Sequence, residues 1–155
     1  MSIQVGDKSP DFTLSDQNGQ PVTLSALWKQ GPVVLFFYPK DFTAGCTAEV
    51  CEFRDQYTDF KDAGATVLGI SSQGVDSKKA FAEKHHLPFQ LVADEGGKVR
   101  EQFGVKGSLF GLIEGRETYV IDSQGIVRHV FNSQVQPGKH VKEALVVLQQ
   151  LKRAA

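Results

Sequence analysis

The sequence predicts an α/β fold, a three-layer α/β/α sandwich built on a mixed central sheet. Short apolar, β-branched runs alternate with segments of helical periodicity along most of the chain. The last part carries two strand-like segments in succession and then one amphipathic segment, an order that places antiparallel strands in the sheet. With 155 residues, 41% of them hydrophobic, the chain can bury one core, so we expect a single domain over residues 1–155.

Each element has its own signal in the sequence. Two short strand-like segments, at 12–14 and 21–24, flank a turn at 16–19 and predict an N-terminal β-hairpin. The apolar run at 33–38 predicts a buried strand, and the stretch at 47–60 follows it with helical spacing. The later predicted segments are strands at 66–70, 89–92, 117–121 and 126–131, helices at 77–86 and 141–151, and a further apolar segment at 99–103.

Charge and composition exclude several classes of function. Lys plus Arg (17) nearly balance Asp plus Glu (18), so no net field draws in nucleic acid or an anionic membrane. Residues 1–8 lack the apolar core of a signal peptide, and the longest apolar run, at 33–38, is too short to span a bilayer. We therefore expect a soluble, cytoplasmic protein without a nucleic-acid or membrane partner.

The chain has two cysteines, and their placement decides the function. In an intracellular chain such a pair points to redox chemistry, metal binding or chance rather than to a secreted disulfide framework. Cys46 lies between the strand at 33–38 and the helix after it, where α/β folds commonly bind ligands. A cysteine in the first turn of a helix faces unpaired N–H groups and the positive end of the dipole, which favour the nucleophilic thiolate.

Cys51 follows five positions later, and this spacing predicts a conformational change. On an intact helix Cys51 lies about 7.5 Å further along the axis than Cys46 and about 140° around it. A disulfide requires Cα atoms within about 7 Å, so the helix must unwind locally before the two cysteines can pair. The spacing therefore predicts a two-state cycle that couples oxidation of Cys46 to local unfolding.

The segment around Cys46 resembles the active-site segment of peroxiredoxins. Residues 38–51 read Tyr-Pro-Lys-Asp-Phe-Thr-Ala-Gly-Cys-Thr-Ala-Glu-Val-Cys, and the Cys-x4-Cys pair is similar to that of the bacterioferritin comigratory protein, or peroxiredoxin Q, branch. Further matches at 6–12 and 115–122 extend the resemblance over nearly the whole chain. Phe42 and Ala44 depart from the branch, which commonly has a small polar residue and a proline there, so the entrance shape and preferred peroxide are not implied.

The resemblance implies a thioredoxin-like fold and a thiol peroxidase that needs no cofactor or metal. In this family a Pro-x3-Thr-x2-Cys segment and a distant arginine form the site, which here correspond to Pro39, Thr43, Cys46 and Arg116. Cys46 is then the peroxidatic nucleophile toward hydrogen peroxide or an alkyl hydroperoxide, and Cys51 resolves it as an intramolecular disulfide. The branch also implies a monomer that thioredoxin or a similar dithiol protein recycles.

The implied roles agree with the chemistry of these side chains. Arg116 stays charged and offers a planar set of donors, so it can stabilise the thiolate and polarise the peroxide together. The Thr43 hydroxyl and the N–H of Cys46 are further groups for the two peroxide oxygens, where negative charge develops as sulfur attacks. Pro39 is expected to shield the sulfur from water.

Several assignments keep a second interpretation. Thr43 also fits a helix N-cap. Cys51 also fits a core residue, with the resolving thiol supplied by another protein. Glu49 either holds Arg116 in place or is an exposed carboxylate that interacts only with the positive end of the helix dipole. For the whole chain, the rivals are a thioredoxin-like protein disulfide oxidoreductase and a redox sensor or holdase.

Two other patterns carry weak functional signals. The histidines, including the pair at 85–86, have no metal-ligand spacing with the cysteines, so we do not expect a metal site. The glycines between 104 and 115 lack the Gly-Lys-Ser/Thr ending of a phosphate loop. They predict instead a flexible loop whose Leu109, Phe110 and Leu112 cover the active-site helix.

Overall fold

In the computed structural model, which describes residues 3–105, 116–132 and 137–154, strands and helices alternate along the chain. The strands are β1 (Thr13–Ser15), β2 (Pro21–Thr23), β3 (Val33–Phe37), β4 (Thr66–Ser71), β5 (Gln90–Ala93), β6 (Glu117–Ile121) and β7 (Val127–Asn132). The helices are α1 (Leu24–Trp28), α2 (Ala44–Asp55), α3 (Tyr57–Asp62), α4 (Val75–His85), α5 (Lys98–Phe103) and α6 (Pro137–Ala154), with a 3-10 turn at Glu95–Gly97 before α5.

Within the described ranges, five strands form one mixed sheet in the order β5-β4-β3-β6-β7. Strands β3, β4 and β5 run parallel, whereas β6 is antiparallel to β3 and β7 is antiparallel to β6. Strands β1 and β2 pair separately as an antiparallel hairpin. The predicted mixed sheet, N-terminal hairpin and β-β-α ending are therefore confirmed.

Strand β3 lies at the centre of the sheet, and all five of its side chains are buried. Val34 and Phe36 belong to a core cluster shared with α2, α3, α4 and α6. Leu35 and Phe37, which alternate with them, belong to a second cluster shared with α1, α5 and the hairpin. Helices thus cover both faces, which confirms the three-layer sandwich and explains why the run at 33–38 is apolar throughout.

Helix α2, which carries both cysteines, is fixed to the sheet by aromatic stacking. The rings of Phe53 and Phe36 stack with centroids 4.4 Å apart. The Phe36 ring needs the space that Gly69 leaves in β4, because a Cβ on Gly69 would lie 2.7 Å from the ring. Aromatic pairs of this kind contribute about 0.5–1.5 kcal/mol beyond burial, so the C-terminal half of α2 is firmly attached.

The single helix predicted over 47–60 is wrong in one respect, because the structure divides this stretch. Helix α2 begins earlier, at Ala44, and Gln56 leaves helical geometry (φ −98°, ψ 9°) before α3 begins. On a straight helix Phe53 and Phe60 would lie about 10.5 Å apart along the axis. Both are fully buried with ring centroids 5.4 Å apart, so the bend at Gln56 lets both rings enter one core.

The direction of β6 determines which residues meet at the end of β3. Because β6 is antiparallel, Glu117 at its start pairs with Phe37 at the end of β3. Arg116, directly before β6, therefore lies beside the connection from β3 to α2, although 70 positions separate it from Cys46.

Candidate active site

Cys46 lies in the first turn of α2 with its side chain 1% exposed. Thr43 occupies the N-cap position with extended backbone (φ −80°, ψ 153°), but its side chain makes no capping hydrogen bond. Its hydroxyl instead donates to the carbonyl of Lys40 at 2.9 Å. Thr43 therefore caps the helix by position only, and its side chain leaves the first-turn N–H groups available to another acceptor.

The guanidinium of Arg116 contacts the sulfur of Cys46 directly. Its Nη2 donates to Sγ at 3.2 Å, and its Nη1 donates to Oε1 of Glu49 at 2.7 Å. Arg116 is 4% exposed and Glu49 is fully buried, so little water screens these charges. Nε of Arg116 is buried and has no hydrogen-bond partner among the described residues.

Glu49 holds Arg116, and its interpretation as an exposed partner of the helix dipole is wrong because the side chain is fully buried. Burial raises the pKa of Glu49 to about 7, although Arg116 acts to lower it. Burial acts to lower the pKa of Arg116, but Glu49 and Cys46 together raise it above its usual value. The carboxyl group therefore changes charge near neutral pH, while the guanidinium stays charged.

A buried histidine extends this cluster toward α6. Nδ1 of His140 lies 3.4 Å from Oε2 of Glu49 and 2.7 Å from Oγ1 of Thr118. The imidazole packs edge-on against Phe131, with ring centroids 4.5 Å apart. No local sequence signal marks His140, because α2, β6 and α6 meet only in the tertiary structure.

Replacing Glu49 with glutamine should change how stability depends on pH. The pKa of Glu49 in the folded chain, about 7, lies above the usual glutamate value of 4.5, so the stability that its protonated form contributes is lost as pH rises between these values. The parent should therefore lose unfolding free energy relative to Glu49→Gln across this window, by at most about 1.4 kcal/mol per pH unit. Urea unfolding of both proteins from about pH 4 to about pH 8 measures the difference, and parallel stability profiles would contradict the titration.

A buried ionic network, which sequence analysis missed, holds the connection between β3 and α2. Nζ of Lys78 lies 3.6 Å from Asp41, donates to the Tyr38 hydroxyl at 3.3 Å and also donates to the Ser71 hydroxyl. Burial and then the neighbouring Asp41 raise the pKa of Tyr38 well above its usual value, so this hydroxyl stays a donor to Asp41, at 2.5 Å. The network fixes the segment that contains the half-buried Pro39.

Cys51 lies further along α2, partly buried, and both cysteines are free thiols. Helix α2 is continuous over both positions, so the thiols are separated by more than one helical turn. At the end of α4, the imidazole of His85 contacts Cys51, with Nδ1 3.6 Å from Sγ. Each sulfur therefore has its own polar partner, Arg116 for Cys46 and His85 for Cys51.

Phe42, one of the two departures from the branch pattern, has left-handed backbone geometry with φ 67°. A bulky side chain in this region is strained, and Phe42 is also 48% exposed. Its ring packs against Phe81 at 5.0 Å, and Nζ of Lys84 lies 5.8 Å from its centroid. Phe42 and the exposed Ala44 thus give the start of α2 an apolar border.

The predicted cover of α2 by Leu109, Phe110 and Leu112 lies outside the described residues and stays a prediction. Among the described side chains, no group of three or more His, Cys, Asp or Glu is placed to hold a metal ion. Within the same three ranges, no helix combines the length and apolar character needed to cross a bilayer.

Comparison with known proteins gives one family. Residues 5–130 match the model of the AhpC/TSA family. The chloroplastic peroxiredoxin Q of Sedum lineare is 55% identical over 150 residues, which cover 97% of this chain and 80% of that protein. Peroxidoxin BcpB from Mycobacterium tuberculosis has a TM-score of 0.90 at 41% identity and covers 96% of this chain and 98% of its own. The bacterioferritin comigratory protein of Xanthomonas campestris, studied for alkyl peroxide reduction, has a TM-score of 0.83 at 29% identity. The match covers 91% of this chain and 92% of that protein.

Cys46 is buried in the first turn of α2 and contacts Arg116, the sheet is thioredoxin-like, and the relatives are peroxiredoxins. Together these features define a thiol-dependent peroxidase. The chain belongs to the AhpC/TSA family and, within it, to the peroxiredoxin Q or bacterioferritin comigratory protein group. The identification as a peroxiredoxin and as a peroxidase, made from the sequence, is confirmed. The roles of individual residues stay predictions.

The predicted cytoplasmic location is wrong in the light of these relatives. The peroxiredoxin Q proteins of Sedum lineare, Triticum aestivum and Arabidopsis thaliana, 55%, 51% and 53% identical to the chain, are chloroplastic. Cellular location is set by targeting signals that receptors read and not by the packed domain. The composition and charge of a domain are therefore poor predictors of its compartment.

Proposed function

We propose that the chain reduces hydrogen peroxide and alkyl hydroperoxides with Cys46 as nucleophile and Cys51 as resolving thiol. The Cys46 thiolate attacks the terminal peroxide oxygen and becomes a sulfenic acid, while the departing oxygen takes up a proton and leaves as water or an alcohol. The sulfur of Cys51 then displaces hydroxide from the sulfenic acid, which yields an intramolecular disulfide and water. A thioredoxin-like dithiol protein restores both thiols, and the active unit is a monomer with one domain over residues 1–155.

The 3.2 Å contact between Sγ of Cys46 and Nη2 of Arg116 carries this proposal. A guanidinium keeps its charge at any physiological pH, so it stabilises the thiolate throughout that range. The same group lies where charge develops on the peroxide during attack, and such preorganised donors are usually the largest single contribution to catalysis. Because Cys46 is only 1% exposed, bulk water competes little for these interactions.

The surroundings of Cys46 supply groups that can bind the peroxide. Nε–H of Arg116, without a partner in the described part of the chain, is available to one peroxide oxygen. The Thr43 hydroxyl donates to Lys40, so its oxygen remains an acceptor for the O–H of the hydroperoxide. The N–H of Cys46 lies in the first helical turn, where no intrahelical acceptor exists for it. Pro39 borders the site and limits water access.

The resolving step requires the first turn of α2 to unwind. Val50 and Phe53 are fully buried, and Phe53 is stacked on the sheet, whereas Ala44 and Ala48 are exposed. The N-terminal part of α2 is therefore the part able to open, and it carries Cys46 toward an anchored Cys51.

Peroxide consumption coupled to a thioredoxin system tests this proposal, with free thiols counted before and after one equivalent of peroxide. The parent should turn over continuously and lose two thiols per chain, while Cys46→Ser sets the background rate. Absence of turnover together with reduction of a protein disulfide would instead identify a disulfide oxidoreductase. Slow turnover with strong binding of client proteins by the oxidised chain would identify a redox sensor or holdase.

The Cys51→Ser variant should complete one peroxide reduction per chain and lose thioredoxin-supported cycling. Without Cys51 the sulfenic acid on Cys46 has no internal partner, so excess peroxide should oxidise it further to sulfinic acid. Stopped-flow reduction of one equivalent of peroxide and mass spectrometry of the product measure the two effects. Sustained turnover of this variant at the parental rate would mean that another thiol resolves Cys46.

A further inference from the structure

His85 contacts the resolving thiol and has no role in the site around Cys46. Its Nδ1 lies 3.6 Å from Sγ of Cys51, within reach of a hydrogen bond to sulfur. Two elements hold it there. The ring packs edge-on against Phe81, one turn earlier on α4, at 5.0 Å between centroids. Its backbone carbonyl accepts a hydrogen bond from Nη1 of Arg54 on α2, at 2.9 Å.

We infer that His85 is the catalytic base of the resolving step, taking the proton of the Cys51 thiol as its sulfur attacks the sulfenic acid on Cys46. This inference rests on the proposed function. The S–H proton of Cys51 moves to Nδ1, the new S–S bond forms, and the S–O bond of Cys46 breaks. The departing hydroxide takes up the proton that His85 received and leaves as water, so the sum is sulfenic acid plus thiol to disulfide plus water.

Burial and the charges around His85 favour its neutral imidazole, the form that can accept a proton. Burial, and then electrostatic interactions with Lys84, Arg54 and His86, lower the pKa of His85 below its usual value. Of these groups, Lys84 and His86 lie beside it in sequence, and Arg54 reaches it from α2. The Asp55 carboxylate binds the Nε of Arg54 at 3.0 Å, and Cys51 also faces His85 from α2.

The contact is placed to survive the opening of α2. Phe53, two residues after Cys51, is fully buried and stacked on Phe36, so the part of α2 that carries Cys51 is held to the sheet. Unwinding of the first turn therefore moves Cys46 and leaves Cys51 beside His85. The base and the resolving thiol are together when the sulfenic acid arrives.

The His85→Gln variant tests this role, because glutamine favours the helix and forms hydrogen bonds but cannot take up the proton. The thiolate and not the thiol is the nucleophile, so a base that takes the thiol proton accelerates the attack. We expect disulfide formation at pH 7 to slow by roughly tenfold, with formation of the sulfenic acid unchanged. Rapid oxidation with one equivalent of peroxide, trapping of sulfenic acid with dimedone and mass spectrometry measure both steps.

The matched control is His86→Asn, at the adjacent exposed position, where φ is 53° and asparagine is tolerated. Burial, Lys84 and Arg54, which affect the pKa of His85 more than His86 does, stay in place, so this variant should form the disulfide at close to the parental rate. The pH profile separates a base from a structural support: the deficit of His85→Gln should shrink as pH rises toward about 9, because hydroxide in solution increasingly replaces the missing base. A deficit that is constant with pH would mean that His85 only supports the structure.

Two further results would overturn the inference without contradicting the peroxidase activity itself. One is parental disulfide formation at pH 7 in His85→Gln, and the other is an equal loss in His86→Asn. Failure of the proposed function looks different, because then neither the parent nor the variants would form a sulfenic acid on Cys46. If sulfenic acid formed but the Cys51→Ser variant cycled normally, the peroxidase activity would stand. The resolving role of Cys51 and the role of His85 as its base would then both be disproved.

Discussion

The Arg116→Met variant should reduce hydrogen peroxide at least about 100-fold more slowly than the parent, given the usual loss when one preorganised donor is removed. Methionine fills similar space but supplies neither charge nor donors. The 3.2 Å contact with Cys46 is lost together with the Nε–H, which has no partner among the described residues, so the proposed thiolate and the charge that would develop on the peroxide both lose a donor. Stopped-flow kinetics with the reduced protein measure the rate, and the ultraviolet absorbance of the thiolate follows its titration.

Removal of Arg116 also leaves Glu49 buried without its cation, which threatens folding. The double variant Arg116→Met with Glu49→Gln removes that stranded carboxyl group and keeps the experiment interpretable. Arg128→Met is the matched control, since Arg128 lies on β7 in a partly exposed pair with Asp122. The control should keep the parental rate. A folded double variant within about threefold of the parent would remove Arg116 from the site, because donor loss should cost far more.

Replacing Lys78 with methionine should lower the free energy of unfolding by about 3 kcal/mol or more. Lys78 and Asp41 are both completely buried, and breaking a buried pair by removing one partner leaves the other charge uncompensated. The hydroxyls of Tyr38 and Ser71 also lose their common donor. Urea unfolding measures the loss, with a slope that should stay at the parental value if the folded state keeps its compactness.

Lys79→Met is the matched control for this prediction, because Lys79 is the next residue of α4 and is exposed. Its effect should stay within about 0.5 kcal/mol. The double variant Lys78→Met with Asp41→Asn should recover part of the stability, since no unpaired charge remains. Equal stability of the Lys78 and Lys79 variants would mean that the buried network contributes nothing to the fold.

The elements of the fold were predictable where local pattern decides them. The run at 33–38 is apolar throughout, so both faces of this strand must be buried. The alternation of strand and helix patterns around it predicts helices on both sides of the sheet. The division of the stretch at 47–60 was not predictable, because a helical period is unchanged across a bend. Gln56 departs from helical geometry so that Phe53 and Phe60 share one core, and that requirement comes from the sheet.

The site was predictable only in part, for a related reason. Cys46 and Thr43 stand in a local motif, and Arg116 was found through the resemblance, since 70 intervening residues carry no spacing rule. Lys78, His85 and His140 gave no signal, because each acquires its partner only when helices from distant parts of the chain pack together. Local reasoning also cannot distinguish a buried Glu49 from an exposed one at the same helical position.

The antiparallel direction of β6 has a consequence for the chain during its synthesis. If β6 were parallel to β3, it would begin at the opposite end of the strands, about 15 Å from the first turn of α2. In the observed arrangement Arg116 reaches Cys46 only when β6 pairs with β3. At ribosomal rates of about 5–20 residues per second, Arg116 is added roughly 4 to 14 seconds after Cys46. Until the sheet closes, Cys46 lacks its contact with Arg116, so the proposed peroxidase site is complete only after β6 has been added to the sheet.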